Sequence, residues 1–396
     1  MNALSTTELK KKIPLFYLTT VLYWFSLYTY VPTLPIYVRS IGASYKMVGL
    51  IIGSYGFTQM LFRIPIGIIS DRLNKRKVFI IGALMAALFS GLGLWFFDSP
   101  GMVLISRGLS GVSAAGWVVF IIQYTGYFDV KDTPRAIGVI NAFNSTGIML
   151  AIILGGIFSN YFGLKISFLL AVFGAILGLI FSMYIYEPNS PKSTSVKISD
   201  LISIIKDKNL LRISFLGVLS QFIIFATVYG FTPILAKQIG ANNFQISILT
   251  TLSTMPGIVS SILSSSFFAK RFGERKTIIW GFILTSIFCT VIPYIKNISV
   301  LYITQVFGGF AWGGVFPLLM GISIRNIETD KRATAMGFFQ AVYGLGMFVG
   351  PLVIGFLSDF AGLTGGFWVT GFVGLMAALF SMFFTTDQKD LYKQDW

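Results

Sequence analysis

Twelve runs of about twenty apolar residues fill this chain almost end to end. They lie at roughly 14–38, 45–69, 77–97, 101–124, 134–158, 163–186, 212–236, 245–268, 276–294, 298–322, 333–358 and 364–385. A helix rising ~1.5 Å per residue crosses a hydrocarbon layer of ~30 Å in such a run. Backbone groups inside that layer find no water, so each run must satisfy its own hydrogen bonds as a helix. The expected fold is therefore all-α and integral to a membrane, with twelve transmembrane helices. Composition agrees: 55% hydrophobic and 11% charged residues leave a chain of 396 residues too little polar surface for water.

The charges orient the chain. With the N-terminus inside, Lys and Arg crowd the N-terminus, the even-numbered loops and the C-terminus. Only Arg39, Lys46, Lys165, Lys237 and Lys296 fall on the other side, and Arg63 and Arg107 fall within runs. This positive-inside bias places both termini in the cytoplasm, and it accounts for the net charge of +15 without any nucleic-acid partner. The first run lacks a small-residue cleavage site and is read as a retained helix. Cys289 is the one cysteine and histidine is absent, which excludes an internal disulfide and removes the commonest metal ligand. No metal or other cofactor is expected.

The chain is also written twice. Pro35 and Gly42-Ala43 return as Pro233 and Gly240-Ala241, an offset of 198. The loop Asp71-Arg72-Leu73-Asn74-Lys75-Arg76-Lys77 returns as Lys270-Arg271-Phe272-Gly273-Glu274-Arg275-Lys276, an offset of 199. Repeats on spanning helices are the mark of a transporter whose halves rock about a central site. The expected organisation is a six-helix bundle at 1–186, a cytoplasmic linker at 187–211 and a second six-helix bundle at 212–396. In the linker, Ile198, Leu201, Ile202 and Ile205 recur at helical spacing, which predicts a short amphipathic helix on the cytoplasmic face. The alternative there is a simple tether.

Three motifs carry a resemblance. Between the second and third runs stands Gly67-Ile-Ile-Ser-Asp71-Arg72-Leu-Asn74-Lys75-Arg76-Lys77. The fourth run holds Arg107-Gly-Leu-Ser-Gly111 followed by small residues. The fifth spaces Gly138, Gly147, Ala151-Ile152 and Gly155-Gly156, and the eleventh Gly337, Gly346, Gly350-Pro351 and Gly355. These resemble the signature loop Gly-x-x-x-Asp-Arg-x-Gly-Arg-Lys, the fourth-helix motif and the antiporter motif of the major facilitator superfamily. The pattern is most similar to its twelve-helix drug:proton exporters. The resemblance implies that Gly67, Asp71, Arg72 and Arg76 form a cytoplasmic latch that breaks during transport. It likewise implies a conformational role for Gly147, Gly346, Gly350 and Pro351. Asn74 stands at the family's second glycine, and Asn tolerates the left-handed backbone needed there. The family's Gly-Pro belongs in the fifth helix, whereas this chain carries it in the eleventh. Small residues at these intervals also serve helix packing.

The expected substrate follows from what the runs lack. No acidic residue falls mid-run, whereas Arg63 and Arg107 do, so the cavity reads as electropositive. Arg107 alternatively ties carbonyls of neighbouring helices. Further candidate ligands come from the repeat: Asn141 and Asn144 match Gln340 and Tyr343 at 199, Tyr23 matches Gln221 at 198, and Tyr30 lies two turns beyond Tyr23. Interhelical hydrogen bonding is the alternative role for each. The reading is a monomeric secondary transporter in the cell membrane, not an enzyme, moving a small anionic or weakly acidic organic solute by alternating access. Efflux is the favoured direction, with protons as a candidate coupling ion. Alternatives are a proton-coupled multidrug exporter of lipophilic compounds and a non-transporting membrane sensor on the same fold.

Overall fold

A computed structural model describes residues 6–129, 132–187, 206–328 and 331–384. They form helices throughout: α1 (Thr6–Tyr28), α2 (Leu34–Ser40), α3 (Tyr45–Leu73), α4 (Arg76–Phe96), α5 (Pro100–Ala115), α6 (Trp117–Thr125), α7 (Thr133–Phe162) and α8 (Ile166–Ser182). The second half of the chain continues with α9 (Lys208–Ala226), α10 (Thr232–Gln238), α11 (Asn243–Leu263), α12 (Ala269–Phe272), α13 (Glu274–Val291), α14 (Ile298–Arg325) and α15 (Arg332–Phe384). Among the described residues, nine helical segments are long and apolar enough to cross a membrane. One of them runs through Gly362, whose φ of 67° splits α15 into two helices. The amphipathic helix expected around Ile198–Ile205 lies outside the described residues.

Several apolar runs are broken where the sequence suggested continuous helices. In the first run a turn at Thr29–Thr33 separates α1 from α2, and Pro35 sits in the first turn of α2, where its missing N–H costs nothing. Pro233 stands at the repeat position in the seventh run, and there the chain answers with a π-helical turn at Thr227–Phe231 between α9 and α10. A second π turn, Ser264–Phe268, interrupts the eighth run. The fourth run breaks at Gly116, where a methyl group would stand 2.7 Å from Ala83 Cβ.

The backbone keeps the repeat. Positive φ occurs in matched pairs among the described residues: Gly42 (88°) with Gly240 (92°), Asn74 (50°) with Gly273 (88°), and Gly163 (87°) with Gly362 (67°). Each pair ends helices at equivalent points of the two halves, and Asn74 holds the left-handed conformation expected of it.

Packing within each half relies on glycine. A methyl group on Gly147 of α7 would sit 2.6 Å from the Val21 carbonyl oxygen of α1. Gly346 and Gly350 of α15 abut Val218 and Phe222 of α9 in the same way. Contacts between the halves gather toward one face. There Gly49 and Gly53 of α3 lie against the Pro351 and Phe348 carbonyls of α15, and Gly355 lies against the Tyr45 carbonyl. At the rim the Asp359 carboxylate accepts from the Tyr45 and Lys46 backbone N–H groups at 2.8 and 2.9 Å, capping α3. The α7–α11 crossing seals the same face, with Asn243 Nδ2 donating to the Ser159 carbonyl at 2.9 Å. Nearby, the Lys165 ammonium and the Tyr37 hydroxyl hold the exposed Asp98 carboxyl below the usual carboxylate range.

Candidate functional site

Away from the Asp359 face the halves part and enclose a cavity of ≈ 680 Å³. It reaches from an aromatic layer in mid-molecule to the Asp71 end of α3, lined there by Ile68, Ile324 and Arg332. The layer is built from both halves: Tyr28 of α1 meets Tyr229 edge-on at 6.1 Å between ring centroids, and Tyr55 of α3 stacks against Phe225 of α9 at 6.1 Å. Trp24 joins it, 5.7 Å from Tyr28 and 5.2 Å from Trp117. These aromatic contacts close the deep end.

One helix face supplies a polar ladder. Tyr55, Gln59, Arg63, Gly67 and Asp71 recur every four residues along α3, and all five line the cavity. Arg63 is 5% exposed and Gln59 7% exposed, yet Arg63 Nε and Gln59 Oε1 find no hydrogen-bond partner among the described residues. The indole N–H groups of Trp24 and Trp312, which also line the cavity, are likewise unpartnered. Buried polar groups normally find partners, so these four, with Asp71 Oδ1 at the mouth, suit a polar occupant.

Of the sequence-derived candidates, Arg63, Asn141, Asn144, Gln221, Gln340 and Tyr343 all line this cavity. Tyr23, Tyr30 and Arg107 stand behind its wall. The Tyr23 hydroxyl donates to the Ser113 carbonyl at 2.5 Å. Arg107 donates through Nη1 to the Tyr30 hydroxyl at 3.3 Å and to Ser110 Oγ at 3.2 Å, and its guanidinium packs on the Tyr55 ring. Its Nη1 is thus met by hydroxyls and its charge by aromatic faces, while Nε has no hydrogen-bond partner among the described residues.

The loop motif is also placed. The helix was expected to end before Asp71; instead α3 runs to Leu73, so Asp71 occupies its last turn, 3.6 Å from Arg76 Nη2. Gly67 faces the cavity, and a methyl group added to it would meet Val118 Cγ1 at 3.9 Å as its nearest neighbour. Arg72 is exposed at the same end. In the second half, Glu274 instead pairs with Arg325 through two hydrogen bonds, one at 2.7 Å from Nη1. Gly147, Gly346, Gly350 and Pro351 serve the helix contacts described above.

Sequence reasoning missed Gln59, Tyr55, Trp24, Tyr28, Tyr229 and Trp312. The four-residue stripe through Arg63 and Asp71 would have found the first two. The tryptophans and tyrosines carried no such signal, because the same residues also anchor helices at membrane interfaces.

A helical membrane protein with a large cavity between repeated halves, open at one face and sealed at the other, has the architecture of a carrier. A profile of the Major Facilitator Superfamily matches residues 16–235 and 213–395, and the chain belongs to that family. It is a multi-pass membrane transporter, not an enzyme. An uncharacterized MFS-type transporter of Methanocaldococcus jannaschii is 23% identical over 94% of this chain and 98% of its own length. The proton-coupled antiporter flippase LtaA of Staphylococcus saprophyticus is 22% identical over 80% of this chain and 79% of its own. Among solved structures, a bacterial homologue of the human lysosomal transporter Spinster, inward-facing and unoccupied, superposes with a TM-score of 0.79. It is 14% identical, covering 96% of this chain and 97% of that one.

Proposed function

We propose that this chain is a secondary active transporter of a small organic solute, exporting it across the cell membrane by alternating access. The observation that carries the reading is the cavity, which lies between the halves, open toward Asp71 and closed toward Asp359. The twelve apolar runs supply twelve spans, and the positive-inside distribution puts both termini in the cytoplasm. On that orientation the Asp71 face is cytoplasmic and the conformation is inward-open. Residues 1–186 and 212–396 act as the two rocking bundles, joined by the linker 187–211, and the site needs no second copy of the chain. Asp71 with Gly67, Arg72 and Arg76 forms the latch that closes the cytoplasmic side in the opposite state.

The solute is anionic or weakly acidic. Arg63 is a deeply buried cation in the cavity wall, and the one carboxylate among the described lining residues, Asp71, stands at the mouth within reach of Arg76. Arg63, Asn141, Asn144, Gln221, Gln340 and Tyr343 contact the solute directly, while Arg107, Tyr23 and Tyr30 act from behind the wall. Solute uptake and counterflow in proteoliposomes test the reading. Saturable flux that an outward or inward proton gradient alters supports it; ligand binding with no flux would make the chain a sensor. A proton-coupled exporter of lipophilic compounds is the second reading. It rests on the name of the LtaA relative and on Asp71, a carboxylate at the mouth that could carry a proton.

A further inference from the structure

We infer that the deep cavity is a site for a hydroxylated aromatic monocarboxylate, its acid group on Arg63 and a hydroxyl on Gln59. This inference rests on the carrier reading and names its substrate class. Four residues deep in the cavity wall each carry a buried polar atom with no hydrogen-bond partner among the described residues: Arg63 Nε, Gln59 Oε1, and the indole N–H groups of Trp24 and Trp312. A ligand that satisfies all four needs a single anionic group, at least one hydroxyl or similar donor, and further oxygen acceptors.

Charge sets the first requirement. Arg63 and Gln59 lie one turn apart on the same face of α3, so an oxygen pair on the guanidinium lies beside the amide. Arg63 binds a planar carboxylate through its fork of donors. A second negative charge would have no deep partner. Arg332 lies at the mouth, donates Nε to the Ile327 carbonyl at 3.0 Å, and is exposed. An unpaired charge at this depth is costly, so a dianion is disfavoured. A cation fares worse, because it would face Arg63 with no deep carboxylate among the described lining residues.

The walls set the second requirement. Trp24, Tyr28, Tyr229 and Trp312 present rings from both halves around the same space. Rings favour stacked or edge-on aromatic neighbours over aliphatic ones of equal area. A buried indole N–H also wants an acceptor, which ring-borne oxygens provide. An aliphatic acid without further oxygens would satisfy Arg63 and leave both indoles unmet, and a hydroxylated one would still forgo the ring contacts.

Titration calorimetry of the purified chain in detergent tests this with three probes: 4-hydroxybenzoate, its neutral amide 4-hydroxybenzamide, and benzoate. The expected result is 4-hydroxybenzoate binding roughly 10- to 100-fold tighter than the amide, the range of a charged buried hydrogen bond. Arg63→Gln should erase that preference, and Gln59→Leu should erase the smaller preference over benzoate. Equal affinity for acid and amide in the wild type, or an unchanged preference in Arg63→Gln, overturns the proposal. Should Arg63→Gln fail to fold, Gln59→Glu carries the test, since a carboxylate beside Arg63 must weaken the acid and spare the amide. Unchanged acid affinity in that variant also overturns it. Counterflow of 4-hydroxybenzoate in proteoliposomes separates the two readings. Arg63-dependent binding without flux keeps the site and sinks the carrier reading; flux of another solute without 4-hydroxybenzoate binding sinks the site alone.

Discussion

The guanidinium of Arg107 lies 4.4 Å from the ring centroid of Tyr55, and Tyr55 in turn lines the cavity. One aromatic ring thus separates a buried cation from the cavity. Arg107 also approaches the Tyr30 ring at 5.5 Å and shares hydrogen bonds with Tyr30 and Ser110. Two arginines that looked alike in sequence therefore stand in different places, one in the cavity wall and one behind it.

Arg107→Ala should accordingly act on stability and on the position of Tyr55 more than on affinity. Losing a desolvated cation–π contact and its hydrogen bonds costs about 3 kcal/mol. We expect a lower melting temperature in detergent, with ligand affinity changed less than by Arg63→Gln. Calorimetry on both variants decides it: an equal loss of affinity would place Arg107 in contact with the solute.

Asp359→Ala should loosen the sealed face. Two backbone N–H groups at the start of α3 lose a charged acceptor, an effect of about 1–2 kcal/mol. That shifts the balance of conformations roughly 5- to 30-fold toward the state open on this side. Spin labels at Ser44 and Ala361 would report it as a larger fraction of long distances. The native Cys289 is buried and interferes little with labelling. An unaltered distribution would mean that the glycine contacts of α3 and α15 alone hold the face shut.

Asp98→Asn should change only the acid response. The folded-state pKa of Asp98 is lowered by Lys165 and Tyr37, so its stabilisation is present above the unfolded value near ~3.9 and fades as pH falls through the folded one. The melting temperatures of wild type and variant should differ by a constant amount above pH ~5 and converge below pH ~4. Curves that diverge on acidification would contradict the assignment.

Much of this architecture was legible because membrane folding follows run length and the repeat. Pro35 and Pro233 marked matched positions, and Gly42, Gly163 and Asn74 fell at the same backbone turns as Gly240, Gly362 and Gly273. Yet the same proline gave a turn in one half and a π-helical turn in the other, a choice set by tertiary packing rather than by Pro itself. In the site, residues read from repeat pairs and helix depth reached the cavity six times, as with Gln340 and Asn141. Arg107 did not, because depth in the membrane says nothing of which way around a helix a side chain points. Tyr55 and Gln59 were missed although their spacing from Arg63 put them on its face.

Asp71→Asn should slow the cycle and leave binding intact. Asp71 stands in the last turn of α3 beside Arg76, at the mouth and away from the aromatic layer. If it latches the cytoplasmic side only in the opposite state, its loss destabilises that state and lowers kcat with little change in affinity. Weakened binding with unchanged turnover would assign Asp71 to the solute site instead.

Gly49→Leu and Gly346→Leu separate gating from packing, because the two glycines meet different partners. Gly49 of α3 faces the Pro351 carbonyl of α15 across the halves, where the sealed face must open and close. Gly346 of α15 faces Val218 of α9 within one half, a contact that rigid-body rocking of the halves would leave unchanged. A side chain at Gly49 therefore opposes one conformation, and one at Gly346 opposes folding itself. Overpacking a tight contact costs about 1–3 kcal/mol or more. At Gly49 that cost falls on the conformation sealed at the Asp359 face alone, which should leave a folded protein of near-normal melting temperature that binds but does not turn over. At Gly346 it falls on every folded state, so yield and melting temperature should drop together. Melting curves with flux on both variants check the distinction. Equal destabilisation at the two sites would show that the α3–α15 contact is as permanent as the packing inside each half, and would remove the moving interface on which alternating access depends.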